Sequence, residues 1–199
     1  MKLILFFAIR GVIAFVIGFL LASIMRTYFF NDLKKKSSKK REILISCLVG
    51  YILMLCIFMF MPNYLISRGG IDLSAQNFDF VGNFKDRAGS GYWGVNIFPF
   101  RTIRSYLKYS GFFHSFLNIV GNILIFVPFG FFISTLYKRF QNFLKATSVF
   151  VLISLFIEFI QFFVGRSVDI DDMILNTLGG IIGYIIYRLN EKNLKKLSR

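Results

Sequence analysis

Residues 144–164 read LKATSVFVLISLFIEFIQFFV and carry charge only at Lys145 and Glu158. A run of this length matches the roughly 17–25 apolar residues that a helix needs to cross the hydrocarbon of a bilayer. Glu158 and Gln161 are three residues apart, so they share one face of that helix. The stretch therefore predicts a membrane-spanning helix that carries a carboxyl group and an amide within it.

Four further runs have the same character, at residues 3–25, 43–61, 112–137 and 173–189. A chain of 199 residues cannot hide five such runs inside one soluble core. Its composition agrees, because 56% of residues are hydrophobic, only 17% are charged and the mean hydropathy is +0.64. The sequence predicts an all-α, polytopic transmembrane bundle of about five spans.

Basic residues account for the net charge of +14 and lie mainly between the apolar runs. They occur as KKKSSKKR at residues 34–41, at Lys138, Arg139 and Lys145, and in the tail after the fifth run. Because cytoplasmic loops carry an excess of lysine and arginine, this pattern predicts an N-terminus outside and a C-terminus in the cytoplasm. Cations spread along the borders of spans also argue against a nucleic-acid partner, which would require a basic stripe on a polar module.

Three segments follow from this topology. Residues 1–62 hold two spans and the basic loop, residues 63–111 form an extracellular loop, and residues 112–199 hold a three-helix core with a basic tail. Within the loop, an amphipathic helix is predicted whose cationic face carries Arg101, Arg104 and Lys108, and whose apolar face carries Phe100, Ile103 and Leu107. The helix either anchors the loop at the outer interface or holds a phosphate of a lipid-linked partner.

Polar residues of the last three spans fall near the outer end of the bundle under this topology. Carboxylates and amides in lipid cost on the order of several kcal/mol each unless they are paired, so such groups normally meet one another. Gly179 and Gly183 give the fifth run a small-residue face that allows a neighbouring helix to approach closely. The predicted ligand-binding residues are Asn118, Asn122, Glu158, Gln161, Arg166, Asp169, Asp172 and Asn176.

Two interpretations of these residues remain open. In one, the amides join helices, Asp169 and Asp172 cap the fifth helix, and Arg166 neutralises a nearby carboxylate. In the other, the same groups line an outward-facing pocket for a polar headgroup, with Glu158 and Arg166 as its main charges. The number of polar groups at one depth favours the pocket.

Several motifs resemble the VanZ-like family of bacterial membrane proteins. They are NIFPF at 96–100, NIVGN at 118–122, VPFG at 127–130, Glu158 with Gln161, RSVDIDD at 166–172, and NTLGG at 176–180 with Gly183. These motifs together cover residues 96–187 in the family's order. The resemblance implies a protein of the bacterial cytoplasmic membrane, and some family members are associated with resistance to teicoplanin and related lipoglycopeptides.

The sequence and the resemblance together predict an envelope protein that binds a lipid or lipid-linked group and contributes to lipoglycopeptide resistance. Membrane lipids, a lipid-linked cell-wall precursor and the drug itself are the expected partners, without cofactor or metal. One alternative is a membrane-embedded hydrolase or transferase that acts on lipid phosphates, with Asp169, Asp171 and Asp172 around a divalent cation. A transporter or proton relay that uses Glu158 is another, and binding without catalysis is favoured over both.

Overall fold

A computed structural model describes residues 2–60, 93–109, 111–163 and 167–197. In this part of the chain the helices are α1 Lys2–Tyr28, α2 Asn31–Lys35, α3 Lys39–Phe60, α4 Arg101–Tyr109, α5 Gly111–Leu136, α6 Phe143–Phe163, α7 Ile170–Leu189 and α8 Glu191–Leu194. Short 3-10 turns occupy Lys138–Gln141 and Lys195–Leu197. Two strands of two residues each, β1 Val95–Asn96 and β2 Val168–Asp169, pair in parallel.

Each predicted apolar run coincides with a helix over the residues that the structure describes. Among the described residues, four helices are long and apolar enough to cross a membrane, in the segments Leu5–Tyr28, Lys39–Phe60, Asn118–Leu136 and Phe143–Phe163. The fifth, α7, is 20 residues long but carries Asp171, Asp172 and Asn176 in its first two turns and is not among the four. The fold is therefore an all-α bundle of membrane-spanning helices.

Close packing of α5 against α7 positions the polar residues of both helices. A Cβ atom built on Gly179 would lie 2.1 Å from the carbonyl oxygen of Ile123, and one on Gly183 would lie 2.1 Å from that of Val127. Any side chain at either position would force the two backbones apart. The predicted role of this small-residue face is confirmed.

The basic segments gather at one end of the bundle. Arg26 near the end of α1 forms two hydrogen bonds with Glu42 near the start of α3, of 2.7 and 2.6 Å. Buried Arg41 donates from Nε to the carbonyl oxygen of Leu197 in the tail at 2.9 Å. The basic loop and the C-terminal tail, which the sequence predicts on one side of the membrane, are thus in contact.

The opposite end is organised by the β1–β2 pair. Val95 lies beside Val168 and Asn96 beside Asp169, and the backbone N–H of Val168 donates to the carbonyl oxygen of Gly94 at 2.9 Å. This bridge attaches the segment before α4 to the start of α7. The predicted amphipathic helix is present as α4. The strand pair holds its beginning against the first turn of α7.

Candidate functional site

A cavity of about 310 Å³ lies among α1, α3, α5, α6 and α7, at the end of the bundle away from the basic loop. Its apolar lining comes from Phe7, Phe58, Met59, Gly121 and Ile125. Its polar lining comes from Asn122, Glu158, Gln161, Asp172 and Asn176. The structure therefore brings five of the eight predicted site residues to one cavity.

Amides of the cavity form hydrogen bonds that join separate helices. Asn122 of α5 donates from Nδ2 to Oδ1 of Asp172 at 2.6 Å, which connects α5 with α7. Gln161 of α6 donates from Nε2 to the carbonyl oxygen of Met59 at 3.0 Å, which connects α6 with α3. These two residues hold helices together and also line the cavity, so the two interpretations of the sequence are compatible at both positions.

Asn176 is the one polar lining residue with an unused buried atom in the described part of the chain. Its Nδ2 donates to Oγ of Ser154 at 3.2 Å, and the residue is only 2% exposed. Its Oδ1 is buried and accepts no hydrogen bond from the described residues. An unsatisfied buried acceptor is costly, so this position favours a bound water or ligand donor.

Glu158 is buried and connects the cavity to the start of α7. Its Oε2 accepts a hydrogen bond from the backbone N–H of Asp169 at 2.8 Å, and its exposed fraction is 3%. Oδ1 of Asp169 in turn accepts from the backbone N–H of Asp171 at 2.9 Å, which makes Asp169 the N-cap of α7. A carboxylate there also lies at the positive end of the helix dipole. The capping role predicted for Asp169 is confirmed.

Asp171 caps a different helix, α4. Its fully buried carboxylate accepts hydrogen bonds from the backbone N–H groups of Phe100, of Thr102 at 2.8 Å and of Ile103 at 3.0 Å. Phe100 has a positive φ of 62°, an uncommon conformation for a residue with a side chain. The first turn of α7 therefore caps the N-terminus of α4, satisfying N–H groups that a helix start leaves free.

Asn96 completes this junction. Its Nδ2 lies 3.0 Å from Oδ1 of Asp169 and 3.1 Å from Oγ1 of Thr102. The NIFPF segment thus contributes an amide and a capped helix start, a role that sequence reasoning did not assign. Asp171 and Asn96 both lie within motifs that carry the family resemblance, which is the signal that could have singled them out.

An apolar groove of about 540 Å³ adjoins the polar cavity on the outer surface of α6. It is lined by Val95, Leu152, Leu155, Phe156, Glu158, Phe159, Phe162 and Val168. Glu158 borders both spaces. The site consequently offers a polar chamber and an apolar surface that meet at one carboxylate.

A sequence model of the protein family described as VanZ/LLP1 matches residues 48–191, which cover most of the chain and all of the site residues contributed by α5, α6 and α7. The chain belongs to the VanZ/LLP1 family. The matched region begins within α3, so it extends further towards the N-terminus than the motifs at residues 96–187 indicated.

Protein VanZ of Enterococcus faecium is 39% identical to this family member over 88 residues. The aligned region covers 43% of this chain and 54% of that protein, so the chain spans about half the length of the curated relative that it matches. No solved structure matches the chain.

Two other predicted site residues of this VanZ/LLP1 chain, Asn118 and Asp169, do not line the cavity. Asn118 is one turn before Asn122 on α5, but its side chain is exposed and does not line the cavity. Asp169 is buried, and its backbone N–H donates to Glu158, which lines the cavity. Arg166 lies outside the described residues.

The three aspartates at the start of α7 do not form a metal site in the described structure. Asp169 caps its own helix, Asp171 caps α4, and Asp172 binds Asn122. Among the described residues, no group of three or more His, Cys, Asp or Glu side chains is placed to hold a metal ion. Their carboxylates are engaged with three separate partners.

Proposed function

We propose that this chain is a multi-pass protein of the bacterial cytoplasmic membrane, with five spans, its N-terminus outside and its C-terminus in the cytoplasm. The contact between Arg41 and Leu197 supports this topology, because it joins two basic segments that must then share the cytoplasmic side. At about 1.5 Å per residue, the 20 residues of α7 extend about 30 Å, which is enough for the fifth crossing. The polar cavity then opens towards the outer leaflet.

The function that the geometry supports best is the binding of an amphiphile, either a lipid or a lipid-linked cell-wall precursor. The observation that carries this proposal is the position of Glu158, which borders both the polar cavity and the apolar groove. A ligand with a polar head and an acyl chain can place the head in the cavity while the chain lies along α6 in the groove. A purely polar solute would gain nothing from the groove.

The head should present hydrogen-bond donors to the cavity. The unsatisfied Oδ1 of Asn176 is an acceptor, and the carboxylates of Glu158 and Asp172 supply further acceptor atoms. Hydroxyl, amide or ammonium groups of a headgroup match this lining. Such groups occur in sugar-bearing and amine-bearing lipids of the envelope.

Membership of the VanZ/LLP1 family and the similarity to Protein VanZ support a role in resistance to teicoplanin and related lipoglycopeptides. These drugs carry an acyl tail and act at the outer surface of the membrane. The protein would lower the effect of these drugs in one of two ways. Its cavity would bind the drug itself, by the head and the acyl tail, or it would bind a cell-wall lipid near which the drug acts.

A resistance assay with Glu158→Gln tests this proposal. Glutamine retains an oxygen that can accept the bond from Asp169, so the variant removes charge and leaves the fold supported. Loss of a charge-assisted hydrogen bond of about 1.5–3 kcal/mol should weaken ligand binding about tenfold or more. We expect the teicoplanin concentration that inhibits a susceptible host producing the protein to fall towards that of the host alone.

Glu191→Gln is the matched control, because it makes the same chemical change in an exposed pair with Arg188 at the other end of the bundle. Glu191→Gln should confer the same resistance as the intact protein when both are present in the membrane at equal levels. If Glu158→Gln and the intact protein protect equally well, the cavity does not carry the function.

A further inference from the structure

A second cavity, of about 350 Å³, lies at the basic end of the bundle between α1 and α3. Its lining combines cations, hydroxyl groups and a few apolar side chains from Phe19, Ser23, Arg26, Lys34, Ser37, Lys39, Glu42, Ile43 and Ser46. Glu42 is separated from Met59 of the first cavity by 17 positions along α3, or about 25 Å of helix. The two cavities are therefore distinct sites.

The charge of this second cavity is positive. Arg26 and Glu42 neutralise each other through their paired hydrogen bonds. Lys34 and Lys39 form no ion pair with any residue in the described ranges, so they leave an excess of two positive charges. Lys34 is held in place by a hydrogen bond of 2.7 Å from Nζ to Oγ1 of Thr27.

The start of α3 adds to this positive potential. Lys39 and Glu42 lie in its first turn, and Oγ of Ser38 accepts the backbone N–H of Arg41 at 3.2 Å. The N-terminus of this 22-residue helix carries a partial positive charge that favours an anion nearby. The cavity thus combines two lysines, serine hydroxyls and a helix start, which together suit a phosphate group.

Apolar side chains also contribute to the lining of this cavity. Phe19 and Ile43 belong to its lining, and Ile43 is exposed. Leu20 and Ile24 directly follow the lining residues Phe19 and Ser23 on α1 and are also exposed, as expected for side chains that face lipid. A phosphate bound here would sit directly above hydrocarbon.

We propose that this cavity binds the phosphodiester headgroup of an anionic glycerophospholipid from the leaflet at the basic end of the bundle. The phosphate contacts Lys34 and Lys39, and the serine hydroxyls form hydrogen bonds with the glycerol and headgroup oxygens. The acyl chains lie along α1 beside Leu20 and Ile24. A lipid fits better than free phosphate because only a lipid uses the apolar border. Under the proposed topology, this leaflet is the cytoplasmic one.

The test compares lipid retention by full-length protein in nanodiscs that contain phosphatidylglycerol and phosphatidylcholine. Native mass spectrometry counts the lipids that stay bound after the protein is released from the nanodiscs. The test variant is Lys34→Gln with Lys39→Gln, and the matched control is Lys35→Gln with Lys40→Gln. The control removes the same charge from the same loop, at two exposed lysines outside the cavity.

We expect the intact protein and the control to retain phosphatidylglycerol in preference to phosphatidylcholine. In the test variant, the ratio of retained phosphatidylglycerol to phosphatidylcholine should be about tenfold lower. Replacing both cavity lysines by arginine should restore retention, which distinguishes lost charge from misfolding. Equal loss in the test and control variants would show a diffuse attraction and overturn the proposal. Binding of inorganic phosphate alone with comparable affinity, or no preference for the anionic lipid, would overturn it as well.

Discussion

Substitution of Asp171 by alanine tests how the amphipathic helix α4 is attached to the bundle. The Asp171 carboxylate is fully buried and accepts the backbone N–H groups of Phe100, Thr102 and Ile103. Alanine would leave all three N–H groups without their acceptor. The start of α4 would then either remain buried and unsatisfied or leave α7 to reach water.

The size of the effect follows from these three bonds. A hydrogen bond to a charged acceptor contributes about 1.5 kcal/mol or more, and hydration of the released N–H groups recovers part of the total, so the net cost is about 3–5 kcal/mol. Asp171→Asn keeps one acceptor oxygen and should lose roughly half of this amount. Docking of residues 93–109 should therefore fail in the alanine variant and weaken in the asparagine variant.

Trp93, the only tryptophan of the chain, reports on this docking. Its ring stacks on Phe162 of α6 with ring centroids 6.1 Å apart. In Asp171→Ala, we expect Trp93 fluorescence to be quenched more strongly by a water-soluble quencher, whereas Asp32→Ala in the exposed α2 should leave quenching unchanged. If Asp171→Ala shows the quenching and thermal midpoint of the intact protein, the carboxylate does not hold α4 in place.

Two further predictions concern packing and the tail. Gly183→Leu should destabilise the bundle by about 3 kcal/mol or more, because the new side chain meets the α5 backbone, and should lower the level of the protein in the membrane. The control is Gly121→Ala, whose new Cβ has nothing within 4 Å. In an immunoblot, this control should show the membrane level of the intact protein. Arg41→Gln should release the tail, since it removes the bond to Leu197, and speed hydrogen exchange of residues 190–197 about tenfold. Lys40→Gln serves as its control, and unchanged exchange in Arg41→Gln would show that the tail is held by other contacts.

The positions of the long helices could be predicted because lipid imposes a simple condition on sequence. A helix facing hydrocarbon must be apolar over its whole length, so its position can be read from the sequence. For example, the second apolar run begins at Ile43, only one turn after α3 begins at Lys39. The same condition predicted that Glu158 and Asn176 would be buried together rather than face lipid. Burial cost therefore decides both the fold and the approximate place of the site.

Individual partners could not be predicted, because they depend on tertiary distances. Asp169, Asp171 and Asp172 are nearly equivalent in sequence, yet the backbone of α7 aims them at three different elements. The β1–β2 pair is two residues long, too short to show the alternating pattern of a strand. Asn118 and Asn122 share a helical face, but only Asn122 lies deep enough to line the cavity.

The first turns of α7 explain why hydropathy alone identifies four helices and not five. Asp171, Asp172 and Asn176 lower the apolar character of this helix, and hydropathy counts each as if it faced lipid without a partner. In the structure, Asp171 accepts three backbone N–H groups, Asp172 accepts the Asn122 amide, and Asn176 donates to Ser154. Groups that form hydrogen bonds inside the bundle avoid most of the cost that an unpaired polar group would incur in hydrocarbon. Two of these residues, Asp172 and Asn176, line the cavity, and Asp171 holds α4 against α7, so none of the three is an objection to a fifth crossing.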